Sequence, residues 1–126
     1  MTEAQEFVAA WLEAWNEQDL DRVLGHFTDD VVFSSPIAAQ LVPGSEGVIH
    51  GKAGLRRYWS EGLRLIPDLH FEVVGVYLGI DILVINYRNQ KGNLVNEVLA
   101  FDGPLVRWGH GTYLGGGGAN PAGTKS

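Results

Sequence analysis

Phe7, Val8, Trp11, Leu12 and Trp15 recur at helical spacing and predict an amphipathic first helix, with Thr2 and Gln5 spaced as a capping box at its start. Asp19 is placed to cap a second, short helix, "LDRVLGHF", whose stripe is Leu20, Val23, Leu24 and Phe27 and which "TDD" ends. A short strand, "VVFSSP", is expected to stop at Pro36, and the Pro and Gly positions that follow predict a long loop with a brief strand at "GVIH". A third helix is expected from about Lys52 to Ile66, with Leu55, Tyr58, Trp59, Leu63 and Ile66 on its apolar face and "PD" closing it.

From Leu69 the period changes to two, which predicts strands near 69–78, 80–88, 93–102 and 105–114 joined by short turns. Helices first and an antiparallel meander afterwards give an α+β fold, as a single domain over 1–114. Residues 115–126 are Gly-rich and polar and are expected to form a flexible tail. Their glycines follow a strand and open no helix, so they do not read as a phosphate loop.

The chain has 126 residues, enough for one hydrophobic core. A net charge of −6 argues against nucleic acid and anionic membranes as partners, since both need a basic face. With no cysteine, disulfides and thiolate chemistry are excluded. The acidic, amphipathic N-terminus is unlike a signal peptide and no apolar run reaches membrane-spanning length, so a cytoplasmic protein is expected. His26, His50, His70 and His110 show no metal-ligand spacing, and neither a metal nor a cofactor is expected.

The run "LVNEVLAFDGPLVRWGHGTYL" raises a chemical question, because Glu97 stands in an otherwise apolar alternating strand. Alternation puts Val95, Glu97, Leu99 and Phe101 on one face. A tight turn centred between Gly103 and Pro104 would set Glu97 opposite His110, Leu99 opposite Trp108 and Val95 opposite Thr112. Opposed Cβ atoms lie about 4.5 to 5.5 Å apart, so an acid–imidazole pair is expected within an apolar face. A carboxylate there costs several kcal/mol unless it is partnered, or else its pKa rises.

The order of parts, with "DLDRVLGHFTDDVVFSSP", then "VIHGKAGLRRYWSEGL", then four strands, resembles the SnoaL-like branch of the nuclear-transport-factor-2-like domains, to which the ketosteroid isomerases are also related. The resemblance implies a cone-shaped curled antiparallel sheet that, with three N-terminal helices, encloses an apolar pocket. It also implies a homodimer through the outer sheet face, where Leu94, Val98 and Ala100 would lie. Against the isomerase pattern, Ser35 stands where the proton-shuttling aspartate would be, Trp11 where an oxyanion tyrosine would be, and Glu97 where the protonated aspartate would be. The epoxide-hydrolase pattern fails as well, because Arg88 lacks its aspartate partner.

What the resemblance leaves is chemistry of the polyketide-cyclase kind on a hydrophobic, carbonyl-containing small molecule, of cyclase, isomerase or dehydratase type. Glu97 and His110 are its candidate catalytic groups, and Trp11, Trp15, Phe27, Phe33, Ser35, Tyr58, Trp59, Leu99 and Trp108 are candidates to line the pocket. The alternative is a non-catalytic small-molecule-binding or dimerisation domain, since one fold hosts many functions.

Overall fold

A computed structural model describes residues 2–115. Helix α1, Glu3–Asn16, begins at the expected capping box: the Gln5 backbone N–H donates to Thr2 Oγ1 at 3.1 Å, and the Thr2 backbone N–H donates to Gln5 Oε1 at 2.8 Å. Helix α2, Leu20–Leu24, is capped by Asp19. Strand β1, Phe27–Ser34, leads into a short helix α3, Pro36–Leu41, and β2, Val48–His50, leads directly into α4, Gly51–Leu65. Four strands complete the chain: β3, Glu72–Leu78; β4, Ile82–Arg88; β5, Leu94–Asp102; and β6, Leu105–Tyr113.

The six strands form one sheet in the order β2-β1-β6-β5-β4-β3. All neighbours are antiparallel except β1 and β6, which run parallel. Register shifts in β1, β3 and β6 mark bulges, which locally increase twist and help curl the sheet into an open cone. The helices fill the concave side, where Trp11, Leu24, Phe27, Leu55, Ile85 and Leu99 are among the fully buried side chains. Trp59 makes edge contacts with Trp15, Phe27 and Phe33 at ring-centroid distances of 4.9 to 5.4 Å, so helix, strand and helix share one aromatic cluster.

Three expectations need correction. Residues 36–41, expected as loop, form α3: Ser35 caps it by accepting from the Ile37 N–H at 3.1 Å, and Pro36 occupies the first turn, where its missing N–H costs nothing. Phe27 begins β1 rather than ending α2, because Gly25 terminates that helix. The third concerns the last hairpin. Asp102↔Leu105 and Phe101↔Val106 pair as expected, but Arg107 is then an extra residue, and beyond it Ala100 faces Trp108, Val98 faces His110 and Glu97 faces Gly111. The expected flexible tail, 115–126, lies outside the described residues apart from Gly115.

Candidate functional site

The bulge at Arg107 decides what the concave face contains. On the inward side of β6 stand Val106, Gly109, Gly111 and Tyr113, while Trp108 and His110 face outward and are exposed. Space explains the choice. Even a single Cβ at position 109 would lie 2.7 Å from Phe33 Cδ2, so this part of the interior has no room for an indole. Arg107 itself is held at the surface, its guanidinium 4.7 Å from the Trp108 ring centroid and its Nε 3.3 Å from Asp30. The Glu97–His110 pair therefore does not form; His110 Nδ1 instead shares a 2.6 Å hydrogen bond with Ser34 Oγ on the outer face.

Between the sheet and helices α1, α3 and α4 lies a cavity of about 290 Å³. Trp15, Phe33, Ser35, Tyr58 and Trp59 line it, together with Glu97. Trp11, Phe27 and Leu99 are fully buried in the core and are not among the lining residues, and Trp108 is on the opposite face of the sheet. Among the lining residues missing from the sequence expectation are the aromatic Phe71, Tyr87 and Tyr113. Tyr87 was legible, since it is in phase with Leu83 and Ile85 on β4, whereas Tyr113 reaches the cavity only because of the bulge. Asn16 fixes Phe71 from the end of α1, donating to its carbonyl at 3.0 Å and accepting from its N–H at 2.8 Å. The turn that carries Asn89, Gln90, Lys91 and Asn93 forms the partly exposed rim.

Glu97 and Ser35 are the buried polar side chains among the described residues, each 5% exposed, and both face this cavity. The Tyr87 hydroxyl donates to Glu97 Oε1 at 3.2 Å. Burial raises the Glu97 carboxyl from 4.5 to about 7, with the Tyr87 hydrogen bond opposing that rise. Burial likewise lifts Tyr58 to about 12, with the Ser35 hydroxyl opposing, and holds Tyr87 and Tyr113 well above the ordinary phenol range. Near neutral pH the cavity thus holds a carboxyl populated in both protonation states beside three phenols that keep their protons. Lys91, at the rim, is the one cation among the described lining residues, so no fixed positive charge competes for Glu97 inside. Among the described residues no cluster of three metal-ligating side chains exists. No helix there is long and apolar enough to cross a membrane.

Residues 8–100 match the SnoaL-like domain. A SnoaL-like protein of unknown function from Burkholderia thailandensis is 40% identical, with a TM-score of 0.84 over 90% of this chain and 95% of that one. TerC, crystallised with polyporic acid, is 12% identical with a TM-score of 0.75 over 90% of this chain and 92% of its own. A protein with a ketosteroid isomerase-like fold from Catenulispora acidiphila, in complex with trimethylamine, is 16% identical with a TM-score of 0.69 over 86% and 85%. At those lower identities the last two show the fold alone. No curated protein matches the chain significantly. With the family match spanning most of the chain and the cone-shaped sheet present in the structure, the chain belongs to the SnoaL-like domain family, within the nuclear-transport-factor-2-like fold.

Proposed function

We propose that the protein is an acid–base enzyme on a hydrophobic small molecule that carries a carbonyl, with Glu97 as its proton-transferring group. The observation that carries this is a carboxyl at 5% exposure in an aromatic cavity, hydrogen-bonded by Tyr87 and free of any internal counter-cation. A pKa near 7 suits a group that gives and takes protons at neutral pH. In its neutral form Glu97 donates its proton to a substrate oxygen as negative charge develops there, while the protonated tyrosines stabilise that charge by hydrogen bonds. The carboxylate left behind then takes a proton from the substrate. An enol that closes onto its own carbonyl, or a hydroxyl that leaves after protonation, needs only this one group, which accords with the absence of His110 from the cavity. Cyclase, dehydratase and isomerase types all fall within this chemistry.

The test is turnover of aryl 1,3-diketones by the wild-type protein and by Glu97→Gln. Loss of turnover with retained binding is the expected result; turnover that survives the substitution refutes the role of Glu97. The outward position of His110 also favours a second reading, a binding domain without turnover. That reading predicts ligand binding in both proteins and product in neither.

The same proposal includes a homodimer through the outer sheet face. There Tyr77, Ile82 and Trp108 are exposed at 65%, 37% and 46%, and Val98 and Ala100 stand in rows with His110 and Trp108 across the strands. Leu94 is in phase with Val98 and Ala100 on β5 and also stands beside the cavity rim.

A further inference from the structure

Strand β6 presents two glycines to the concave side, and they differ in what they do. At Gly109 an added Cβ would meet Phe33 Cδ2 at 2.7 Å and Cε2 at 3.0 Å, so packing alone demands glycine. At Gly111 an added Cβ would lie 3.5 Å from Ser35 Oγ, 3.6 Å from Ser35 Cβ and 3.9 Å from Glu97 Oε1, which are ordinary contacts. Its backbone is not in the left-handed region either. Glycine inside a strand sacrifices packing and raises the entropic cost of folding. The fold gains nothing from it at position 111, and the space it leaves opens into the cavity, flanked by the two buried polar side chains.

We propose that Gly111 is a specificity-determining position: its missing side chain opens a narrow recess between Ser35 Oγ and Glu97 Oε1 that seats a bare carbonyl, enol or phenol oxygen and rejects the same oxygen once it is alkylated. This rests on Glu97 acting as a proton donor, and it narrows the substrate class to flat molecules with an unsubstituted oxygen at the end that enters first. The recess is bounded by Ser35, the cap of α3 just past the end of β1, and by Glu97 on β5, directly across from Gly111. An oxygen in it meets the Glu97 carboxyl, whose other contact is the Tyr87 hydroxyl. A methyl on that oxygen would need the volume that Ser35 Cβ and Oγ already bound. The aromatic walls of Trp15, Trp59 and Phe71 hold the ring behind it.

The experiment uses three probes on the full chain at pH 6: 2-naphthol, 2-methoxynaphthalene and naphthalene, with binding followed by tryptophan fluorescence. Wild type is expected to prefer 2-naphthol to its methyl ether by about tenfold, the value of one hydrogen bond made or lost in a buried site. In Gly111→Ala that preference should vanish, while the affinity for naphthalene stays within about twofold because the ring's seat is untouched. Equal affinity of wild type for naphthol and its ether overturns the proposal, as does a preference that survives in Gly111→Ala.

In that last case Glu97→Leu, which removes the hydrogen-bonding group that Gln would still supply, separates the two readings: a preference lost there leaves Glu97 as the donor and removes only the recess, and a preference retained removes both. If Gly111→Ala also weakens naphthalene, Ser35→Ala decides, since widening the recess from the other side should admit the methyl ether with a gain of about tenfold. No gain in that variant overturns the recess.

Discussion

Replacing Glu97 by Gln is expected to make the protein more stable at pH 8 while changing it little at pH 4. In the folded chain the carboxyl titrates near 7, in the unfolded chain near 4.5, so between those values the native state holds a proton that the unfolded state has released. Stability contributed by the protonated group is therefore fully present below 4.5 and is lost as pH rises towards 7, after which the loss is constant. At about 1.36 kcal/mol for each pKa unit, the whole displacement amounts to about 3 kcal/mol. Glutamine is neutral at every pH and keeps an oxygen for the Tyr87 hydroxyl, so the variant escapes this loss. Urea unfolding of both proteins at half-unit steps from pH 4 to 8 measures it. The remaining titrating groups, His26 with its depressed pKa among them, are common to both proteins and cancel in the difference. A difference that grows by about 3 kcal/mol and flattens above pH 7 is expected; one that is independent of pH would show the carboxyl to be solvated and would sink the acid–base reading with it.

Gly109→Ala is expected to cost about 1 to 3 kcal/mol in unfolding free energy, since its Cβ would displace the Phe33 ring, whereas Gly111→Ala in the same assay should change stability by less than about 1 kcal/mol. Asn16→Ala leaves the Phe71 N–H and C=O without their partners; a loss of about 1 to 3 kcal/mol and weaker ligand binding are expected, read by denaturation and fluorescence titration. Sedimentation of wild type at micromolar concentration should show a dimer, and Trp108→Glu, which puts a charge on the exposed face of the sheet, should shift it to monomer without altering the circular dichroism spectrum. A monomeric wild type would count against the dimer.

Much of the scaffold was legible because it follows from local patterns. The capping box at Thr2, the cap at Asp19, the helical stripe ending at Trp15 and the alternation on β4 and β5 each depend on residues within a turn or two of one another. Glu97 was legible for the same reason, as a polar residue in phase with Val95 and Leu99. His110 and Trp108 were misplaced because register across a hairpin depends on every residue between the partners, and one extra residue inverts all that follow. Nothing in "PLVRWGH" announces the bulge; the side chain that leaves no room for the unshifted register is Phe33, some 75 positions away in the chain and in contact only after folding. The parallel pairing of β1 with β6 has the same long-range origin. Ser35 and Pro36 did carry a local signal, a cap followed by a first-turn proline, which reads equally as the end of a strand and as the start of α3.

The extra residue at Arg107 makes the reaction chemistry of this cone a matter of counting rather than of identity. With it, strand β6 offers the interior two empty positions and a phenol; without it, the same strand would turn an indole and an imidazole inward, provided a smaller side chain replaced Phe33. A codon lost at Arg107, together with a smaller residue in place of Phe33, would therefore exchange a carboxyl–phenol site for a carboxyl–imidazole one. Insertions and deletions at sheet bulges, paired with one compensating change in the core, are thus a route by which proteins of this shape can change reaction type, and the spacing between turn and strand is as informative about their chemistry as the residues themselves.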